Sequence, residues 1–224
     1  MKDAPKGFIP NICESVPPGA KSKNGAFEDN EHGNEDLFSL PMMTLRPEKP
    51  CDLESIRSVH RSAFPTETES RLVDLLRARG KALVSLVAQV DGLVAGHVLF
   101  SPVVLEAHAG LLSGLGLAPL AVLPSHQRRG IGSSLVREGL EACRREQCPF
   151  VVVLGNPSYY QRFGFQTAGD AGLSNEYGAT EAFMVLELAA GFLPEGGGLV
   201  KYAPEFSEAE SGPPASIRAD LPDH

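Results

Sequence analysis

The stretch LAPLAVLPSHQRRGIGSSLVREGLEACRRE at residues 117–146, followed by PFVVVLGNPSYYQRFGF at 149–165, decides how this chain folds. It starts with an apolar strand that ends at Pro124 and continues into a loop containing Gly130 and Gly132. A helix opens on this loop, and a second apolar strand and a tyrosine-rich turn follow it. A helix N-terminus carries unpaired N–H groups and the positive end of the helix dipole, so the loop suits a phosphate group.

The segments around this stretch predict a mixed α/β fold, with a mostly antiparallel central sheet and flanking helices. Two β-rich runs joined by Asp91-Gly92 predict a hairpin, and residues 111–123 predict a third antiparallel strand. Only the step from that strand to 150–154 has the helical crossover that parallel neighbours need. The other predicted elements are a strand from Met43, a helix after Asp52, a helix that follows a Thr66–Glu69 capping box and ends at Gly80, and strands at 182–191 and 197–206.

The acidic residues concentrate at the two ends of the chain. The net charge is -8, and residues 1–41 hold 4 basic and 7 acidic residues while residues 205–224 hold 1 and 5. We therefore expect a disordered acidic tail at 1–41, a single domain at 42–206 and a flexible tail at 207–224. Because no segment gathers a basic stripe, we expect no binding to nucleic acid.

The cysteines and the apolar residues exclude further classes of protein. The four cysteines form no CxxC pair and have no histidine at metal-ligand spacing, so we expect reduced thiols and no metal site. No apolar run approaches the roughly 20 residues of a membrane span, and the N-terminal residues do not resemble a signal peptide. These features predict a cytoplasmic protein that does not act on a membrane.

The glycine loop alone allows three interpretations. A dinucleotide-binding fold would need a third glycine where Leu135 stands and an acidic residue about 20 positions further on, within an apolar run. A phosphate loop of the nucleotide hydrolases would need a lysine, and the loop has none. The third interpretation is a tight turn between strand and helix that binds no ligand.

A fourth interpretation comes from a family resemblance. LAVLPSHQRRGIGSSLV resembles the acetyl-CoA signature of the GNAT superfamily of N-acetyltransferases, whose loop reads Gln/Arg-x-x-Gly-x-Gly/Ala. Gln127, Gly130 and Gly132 fill these positions. YYQRFGF resembles the family's Tyr-x-x-x-Gly-Phe segment, with Tyr160 at its first position. The resemblance extends to the order of elements between about residues 43 and 206 and covers neither end of the chain.

The resemblance implies that the protein transfers an acetyl group from acetyl-CoA, as co-substrate, to an amine acceptor. In the family, the loop N–H groups hold the pyrophosphate, and the preceding strand splays from its parallel neighbour at a bulge, near Pro119 here, to admit the pantetheine arm. An N–H near Val122 would stabilise the oxyanion, and Tyr160 matches the tyrosine that protonates the leaving thiolate. The implied cofactor-binding residues are Leu120, Ala121, Val122, Gln127, Arg128, Arg129, Gly130, Ile131, Gly132, Ser133 and Asn156.

The chain departs from the family pattern at the general base. Many members carry a carboxylate on the central strand, whereas residues 111–123 contain none. A chain of water molecules is one substitute, and a non-catalytic acyl-CoA-binding module or an acyltransferase for longer acyl chains are alternative functions. The sequence leaves open the acceptor and whether the protein is a monomer or a homodimer. The candidate bases outside the strand are His97, Glu106, His108, Glu69 and Glu187.

Overall fold

The computed structural model describes residues 42–211, which form one nine-stranded sheet with helices on both faces. This confirms the predicted fold class. No helix within the described residues is long and apolar enough to cross a membrane. The strands are β1 (Met43–Pro47), β2 (Val84–Val90), β3 (Leu93–Ala107), β4 (Gly110–Val122), β5 (Phe150–Leu154), β6 (Gln166–Thr167), β7 (Leu173–Asn175), β8 (Phe183–Glu187) and β9 (Gly198–Tyr202). The α-helices are α1 (Leu53–Ala63), α2 (Thr68–Ala78), α3 (Ile131–Arg145), α4 (Pro157–Tyr160) and α5 (Glu205–Ser211).

The sheet runs in the order β1-β2-β3-β4-β5-β8-β6, and β9 pairs with β3 and with β7. The predicted hairpin forms between β2 and β3, where Asp91 and Gly92 both have positive φ angles. The predicted crossover through α3 makes β4 and β5 parallel neighbours. A second parallel pair, β7 with β9, was not predicted, because β7 is only three residues long and carries no strand pattern.

Alternation along the strands divides the core between the two faces of the sheet. Leu99 packs on the face covered by α1 and α2, whereas Phe100 packs on the face covered by α3. We call these the α1/α2 face and the α3 face. β4 shows the same division, because Leu117 lies in the α3 cluster and Ala118 in the α1/α2 cluster. The two faces meet at the central strands β3, β4 and β5, which therefore have no freedom to slip in register.

Two predictions about local structure were wrong. The predicted capping box does not form, because α2 begins at Thr68 and its N-cap residue, Glu67, makes no side-chain cap hydrogen bond. Thr66 instead accepts a hydrogen bond of 3.4 Å from the backbone N–H of Thr68. The predicted domain boundary at 206 falls inside α5, which continues to Ser211. The rest of the two predicted tails lies outside the described residues.

At the helix ends, the prediction that Gly80 ends α2 agrees with the structure, whereas Asp52 starts α1 without a side-chain cap. Gly80 follows α2 with φ of +67°, and the N–H of Lys81 bonds the carbonyl of Leu76, as in a Schellman motif. Asp52 does occupy the N-cap position of α1 but makes no cap hydrogen bond with its side chain. Its carboxylate accepts two hydrogen bonds from Arg46 instead, at 2.6 and 2.8 Å.

Glycine at position 139 allows α3 to lie directly on the sheet. A Cβ there would overlap the ring of Phe100. Gly139→Ala should therefore lower the free energy of unfolding by about 1–3 kcal/mol, although alanine alone would favour the helix. Urea unfolding checks this, with Gly169→Ala as the control because a Cβ at position 169 meets nothing within 4 Å. Equal stability of the two variants would contradict the packing described.

Candidate active site

The loop before α3 has the conformation that its glycine predicts. Gly130 is the N-cap residue of α3 and has φ of +82°, and Arg128 also has a positive φ of +61°. The side-chain amide of Gln127 donates a hydrogen bond of 3.1 Å to the carbonyl of Val122. This bond ties the loop to the end of β4. Gln127 therefore helps to position the start of α3, and it also lines the depression described next.

A depression of about 190 Å³ opens at this helix N-terminus. Ile131, Gly132 and Ser133 form the first turn of α3, so their N–H groups have no acceptor within the helix. Arg128 and Arg162 add positive charge at the rim, which makes the depression suited to an anionic group. The lining residues are Val122, His126, Gln127, Arg128, Gly130, Ile131, Gly132, Ser133 and Arg162.

The depression brings together most of the loop residues that the sequence predicted. Arg129 is the exception, because it is exposed and does not line the depression. Arg162 is the residue that the sequence analysis missed, although it lies inside the YYQRFGF block. Its guanidinium stacks 4.4 Å from the centroid of the Tyr159 ring, and its Nε donates to the Tyr159 carbonyl at 3.1 Å. These contacts hold the cation at the rim.

Gly132 has a structural role in addition to the predicted one. A Cβ at this position would lie 2.9 Å from the hydroxyl of Tyr159. Glycine therefore lets Tyr159, at the end of α4, approach the first turn of α3. Tyr159 is buried, so its side chain packs in the interior and does not face solvent.

β4 and β5 separate soon after they pair. They are in register only at Leu115 with Val151 and at Gly116 with Val152. Beyond Gly116, the pairing of β4 with β3 shifts by one residue between Leu117 and Leu120, which places a bulge where the sequence predicted one. Within the described residues, the end of β4 therefore has no hydrogen-bonded neighbour on its β5 side, and we call this unpaired region beyond Gly116 and Val152 the gap between β4 and β5.

The three predicted residues at the end of β4 border this gap in different ways. Leu120 belongs to the core on the α3 face and Ala121 to the core on the α1/α2 face. The N–H of Leu123 donates to the carbonyl of Ala95 on β3 at 2.8 Å. Because successive N–H groups of a strand point in opposite directions, the N–H of Val122 points away from β3 and towards the gap.

Tyr160 lies in an aromatic cluster on the α3 face. Its ring centroid is 5.1 Å from that of Tyr159 and 5.6 Å from that of Phe165. The side chain is 1% exposed, and burial raises the pKa of its hydroxyl well above the ordinary value of 10. Tyr160 is therefore a neutral phenol at physiological pH, as a proton donor must be.

Asn156 lies at the junction of β5 and α4. Its side-chain oxygen accepts a hydrogen bond of 2.9 Å from the N–H of Ser158 and caps α4. The side chain is exposed. The structure thus gives Asn156 a clear role in positioning the short helix that carries Tyr160.

The five candidate bases separate into surface and buried groups. Glu106 pairs with Lys201 at 2.7 Å, His108 is exposed in the turn before β4, and Glu187 accepts a hydrogen bond from the backbone of Leu193. Glu69 is buried, and burial raises the pKa of its carboxyl. His97 is fully buried on the α1/α2 face, where it contacts a second histidine. Only the last two lie in the interior.

Comparison with protein families finds a match over more than half of the chain. Residues 44–168 match the model described as "Acetyltransferase (GNAT) domain". Escherichia coli strain K12 has a similar protein, "Uncharacterized N-acetyltransferase YhbS", which is 38% identical over 167 residues, or 74% of this chain and 99% of YhbS. "Uncharacterized N-acetyltransferase YjhQ" of the same strain is 38% identical over 129 residues, or 56% of this chain and 71% of YjhQ.

Two solved structures are similar over most of their length. Escherichia coli YhbS in complex with CoA has a TM-score of 0.70 and 35% identity, covering 79% of this chain and 96% of YhbS. A GNAT family acetyltransferase from Brucella melitensis in complex with acetyl-CoA has a TM-score of 0.62 and 35% identity. That match covers 74% of this chain and 98% of the Brucella protein.

The burial of Tyr160 predicts that its hydroxyl ionises at a higher pH than that of an exposed tyrosine. The raised pKa means that the hydroxyl stays protonated through the pH at which an exposed tyrosine ionises, about 10. The ultraviolet absorbance of the wild-type protein minus that of Tyr160→Phe should therefore show no ionisation step near pH 10. Circular dichroism over the same range verifies that the fold persists, and a step near pH 10 would contradict the burial.

Proposed function

The chain belongs to the GNAT family of acetyltransferases, and from that premise we propose that it acetylates a primary amine directly, with acetyl-CoA and the acceptor bound at the same time. It is an N-acetyltransferase whose acetyl donor is acetyl-CoA. The observation that carries the proposal is the adjacency of two features at the end of β4. Val122, at the end of β4, lines the anion-binding depression, and the pairing of β4 with β5 stops at Gly116 on the same strand.

Coenzyme A fits the residues at the depression. The N–H groups of the first turn of α3 bind the pyrophosphate, and the helix dipole adds to the attraction. Gly130 allows the turn that aims them, since its φ of +82° is unfavourable for other residues. Arg128 and Arg162 pair with phosphate oxygens, which gives Arg162 a function that the sequence analysis did not assign.

The gap between β4 and β5 receives the pantetheine arm. Strand backbone that has lost its neighbour offers unpaired N–H and C=O groups, and the amides of the arm satisfy them. The N–H of Val122 points into the gap and donates to the thioester oxygen. This bond strengthens as the oxygen becomes an oxyanion in the tetrahedral intermediate.

Tyr160 protonates the thiolate that leaves. It lies on α4, directly after β5, so it follows the strand that forms the second border of the gap. Because its phenol is neutral at physiological pH, it holds the proton that the departing sulfur needs. The same desolvation raises the proton affinity of a thiolate beside it, which favours the transfer.

Arg162→Ala should weaken acetyl-CoA binding by about 10- to 150-fold, because a charge-assisted hydrogen bond contributes about 1.5–3 kcal/mol. Isothermal titration calorimetry measures the change. Arg137→Ala is the matched control, since its guanidinium also stacks on Phe163, 5.4 Å from the ring centroid, but does not line the depression. Equal losses in the two variants, or no loss in either, would remove Arg162 from the phosphate site.

Tyr160→Phe should lower kcat by about 10²–10⁴-fold and leave the Kd for acetyl-CoA unchanged. Thiol release from acetyl-CoA is measured with a panel of spermidine, an aminoglycoside, free lysine and a peptide with a free N-terminus. Unchanged turnover in the variant would exclude Tyr160 as the acid. Wild-type protein that binds acetyl-CoA but acetylates no amine would favour the non-catalytic acyl-CoA-binding module.

A further inference from the structure

A chain of hydrogen-bonding side chains crosses the interior on the α1/α2 face. His60 of α1 and His97 of β3 are both fully buried, and Nε2 of His60 lies 2.8 Å from Nδ1 of His97. Nε2 of His97 lies 2.9 Å from the hydroxyl of Ser85 on β2. That hydroxyl donates to the carboxylate of Glu48 at 2.7 Å, and Glu48 is half-buried next to β1.

An ionised carboxylate anchors the outer end of this chain. Arg77 of α2 donates two hydrogen bonds of 2.8 Å to the two oxygens of Glu48. Burial favours the neutral carboxyl of Glu48, but the hydrogen bonds from Arg77, His97 and Ser85 outweigh it and lower the pKa. Because an ionised carboxylate only accepts hydrogen bonds, every donor in the chain must point towards Glu48.

This direction fixes the tautomer of both histidines. Nε2 of His97 carries a proton that points towards Ser85 and Glu48, so its Nδ1 accepts. Nε2 of His60 therefore donates to His97, and Nδ1 of His60 keeps a lone pair. That Nδ1 is buried and has no partner among the described residues. Burial also lowers the pKa of His60, and the neighbouring His97 and Arg77 lower it further, so the ring is neutral.

The two histidines lie on the α1/α2 face of the sheet, where β3 runs beside the end of β4. His97 pairs with Ala121 of β4, and Ser101, further along β3, pairs with Gly116. These pairs bracket the part of β4 that separates from β5. The ring of Tyr202 packs against Gly116, since a Cβ there would lie 3.0 Å from it.

Two hydroxyls on this face have the same property as His60. The side-chain oxygens of Ser101 and Tyr202 are buried and have no partner among residues 42–211. Buried polar groups are almost always hydrogen-bonded, so three such groups on the α1/α2 face indicate that a polar ligand or ordered water belongs on this face. The β4 residues on this face are small: Gly116, Ala118 and Ala121.

We propose that the acceptor amine binds on this face of β4 and that Nδ1 of His60 accepts its proton, directly or through one water molecule. The inference rests on the proposed acetyl transfer and assigns its missing base. His97, Ser85 and Glu48 are positioning residues, since they hold the His60 lone pair in place without contacting the amine. Within residues 42–211, Glu69, the other buried candidate, has a side-chain hydrogen bond with Thr66 but no comparable chain of partners.

The proton balance of the reaction is then complete. The acceptor nitrogen forms a bond to the acetyl carbon, and the bond from that carbon to sulfur breaks. The acceptor binds as the neutral amine, so its nitrogen has one proton to lose. That proton passes to Nδ1 of His60, and the sulfur takes one proton from Tyr160. When the products leave, His60 releases its proton to water and Tyr160 recovers one, so the enzyme returns to its starting state.

His60→Gln tests the proposal, because a glutamine amide keeps an N–H donor for His97 but has no basic nitrogen. With acetyl-CoA and an amine of the panel that is turned over, kcat should fall about 100-fold while the Kd for acetyl-CoA stays within about twofold. The acid limb of the kcat/KM profile against pH should disappear, and added imidazole should restore part of the rate. His97→Gln should lower kcat less than His60→Gln does, and it should shift the acid limb of the kcat/KM profile to a different pH.

Glu69→Gln is the comparison variant, and it should keep the acid limb. An unchanged profile in His60→Gln, or loss of the limb only in Glu69→Gln, would overturn the assignment of His60. Absence of turnover by wild-type protein on every amine would instead overturn the proposed function, and the inference with it. Thermal unfolding of each variant separates a loss of chemistry from a loss of fold.

The tautomers can be measured without any acceptor. In protein labelled with ¹⁵N-histidine, nitrogen chemical shifts at pH 7 should show His60 and His97 as neutral rings protonated at Nε2, with the signals assigned from the two glutamine variants. Because the tautomers are measured in the wild-type protein, this result would support the proposal even if a glutamine variant were partly misfolded. A His60 ring that is cationic, or protonated at Nδ1, would overturn it.

Discussion

The position of the site is set by the point at which β4 and β5 stop pairing. Two parallel strands that are covered on both faces would normally pair along their whole length, because buried N–H and C=O groups need partners. Here the pairing ends at Gly116 and Val152, and the bulge in β4 turns the strand away. The site follows from this break, since the backbone groups left unpaired are the ones that a coenzyme arm can bind.

The other parts of the site lie around this break because each is tied to β4 or β5. The glycine loop is held to the end of β4 by Gln127, and α4 follows directly from β5 and is capped by Asn156. Tyr159 joins the two, since its hydroxyl reaches the first turn of α3 at Gly132. These contacts hold the proposed acetyl-CoA site in place at the end of β4. The proposed site for the acceptor amine lies on the α1/α2 face of the same strand.

The sequence predicted the parts of this frame that local patterns encode. β5 has the predicted bounds, the glycine loop and the hairpin lie where they were expected, and β4 has the bulge near Pro119 that the family resemblance implied. Features that depend on distant partners were not predictable. Arg162 gains its role only where α4 meets α3, and His60 only through His97, 37 residues away. β6 and β7 were missed because pairing with β8 and β9 defines them, not their own composition.

The central claim is that the break in the sheet and the helix N-terminus beside it form one binding site for acetyl-CoA. A crystal structure of the full chain with coenzyme A tests this most directly. We expect the pyrophosphate to contact the N–H groups of the first turn of α3 and the guanidinium of Arg162, with the pantetheine arm between β4 and β5. Phosphates bound away from α3, or an arm lying outside the gap, would contradict it.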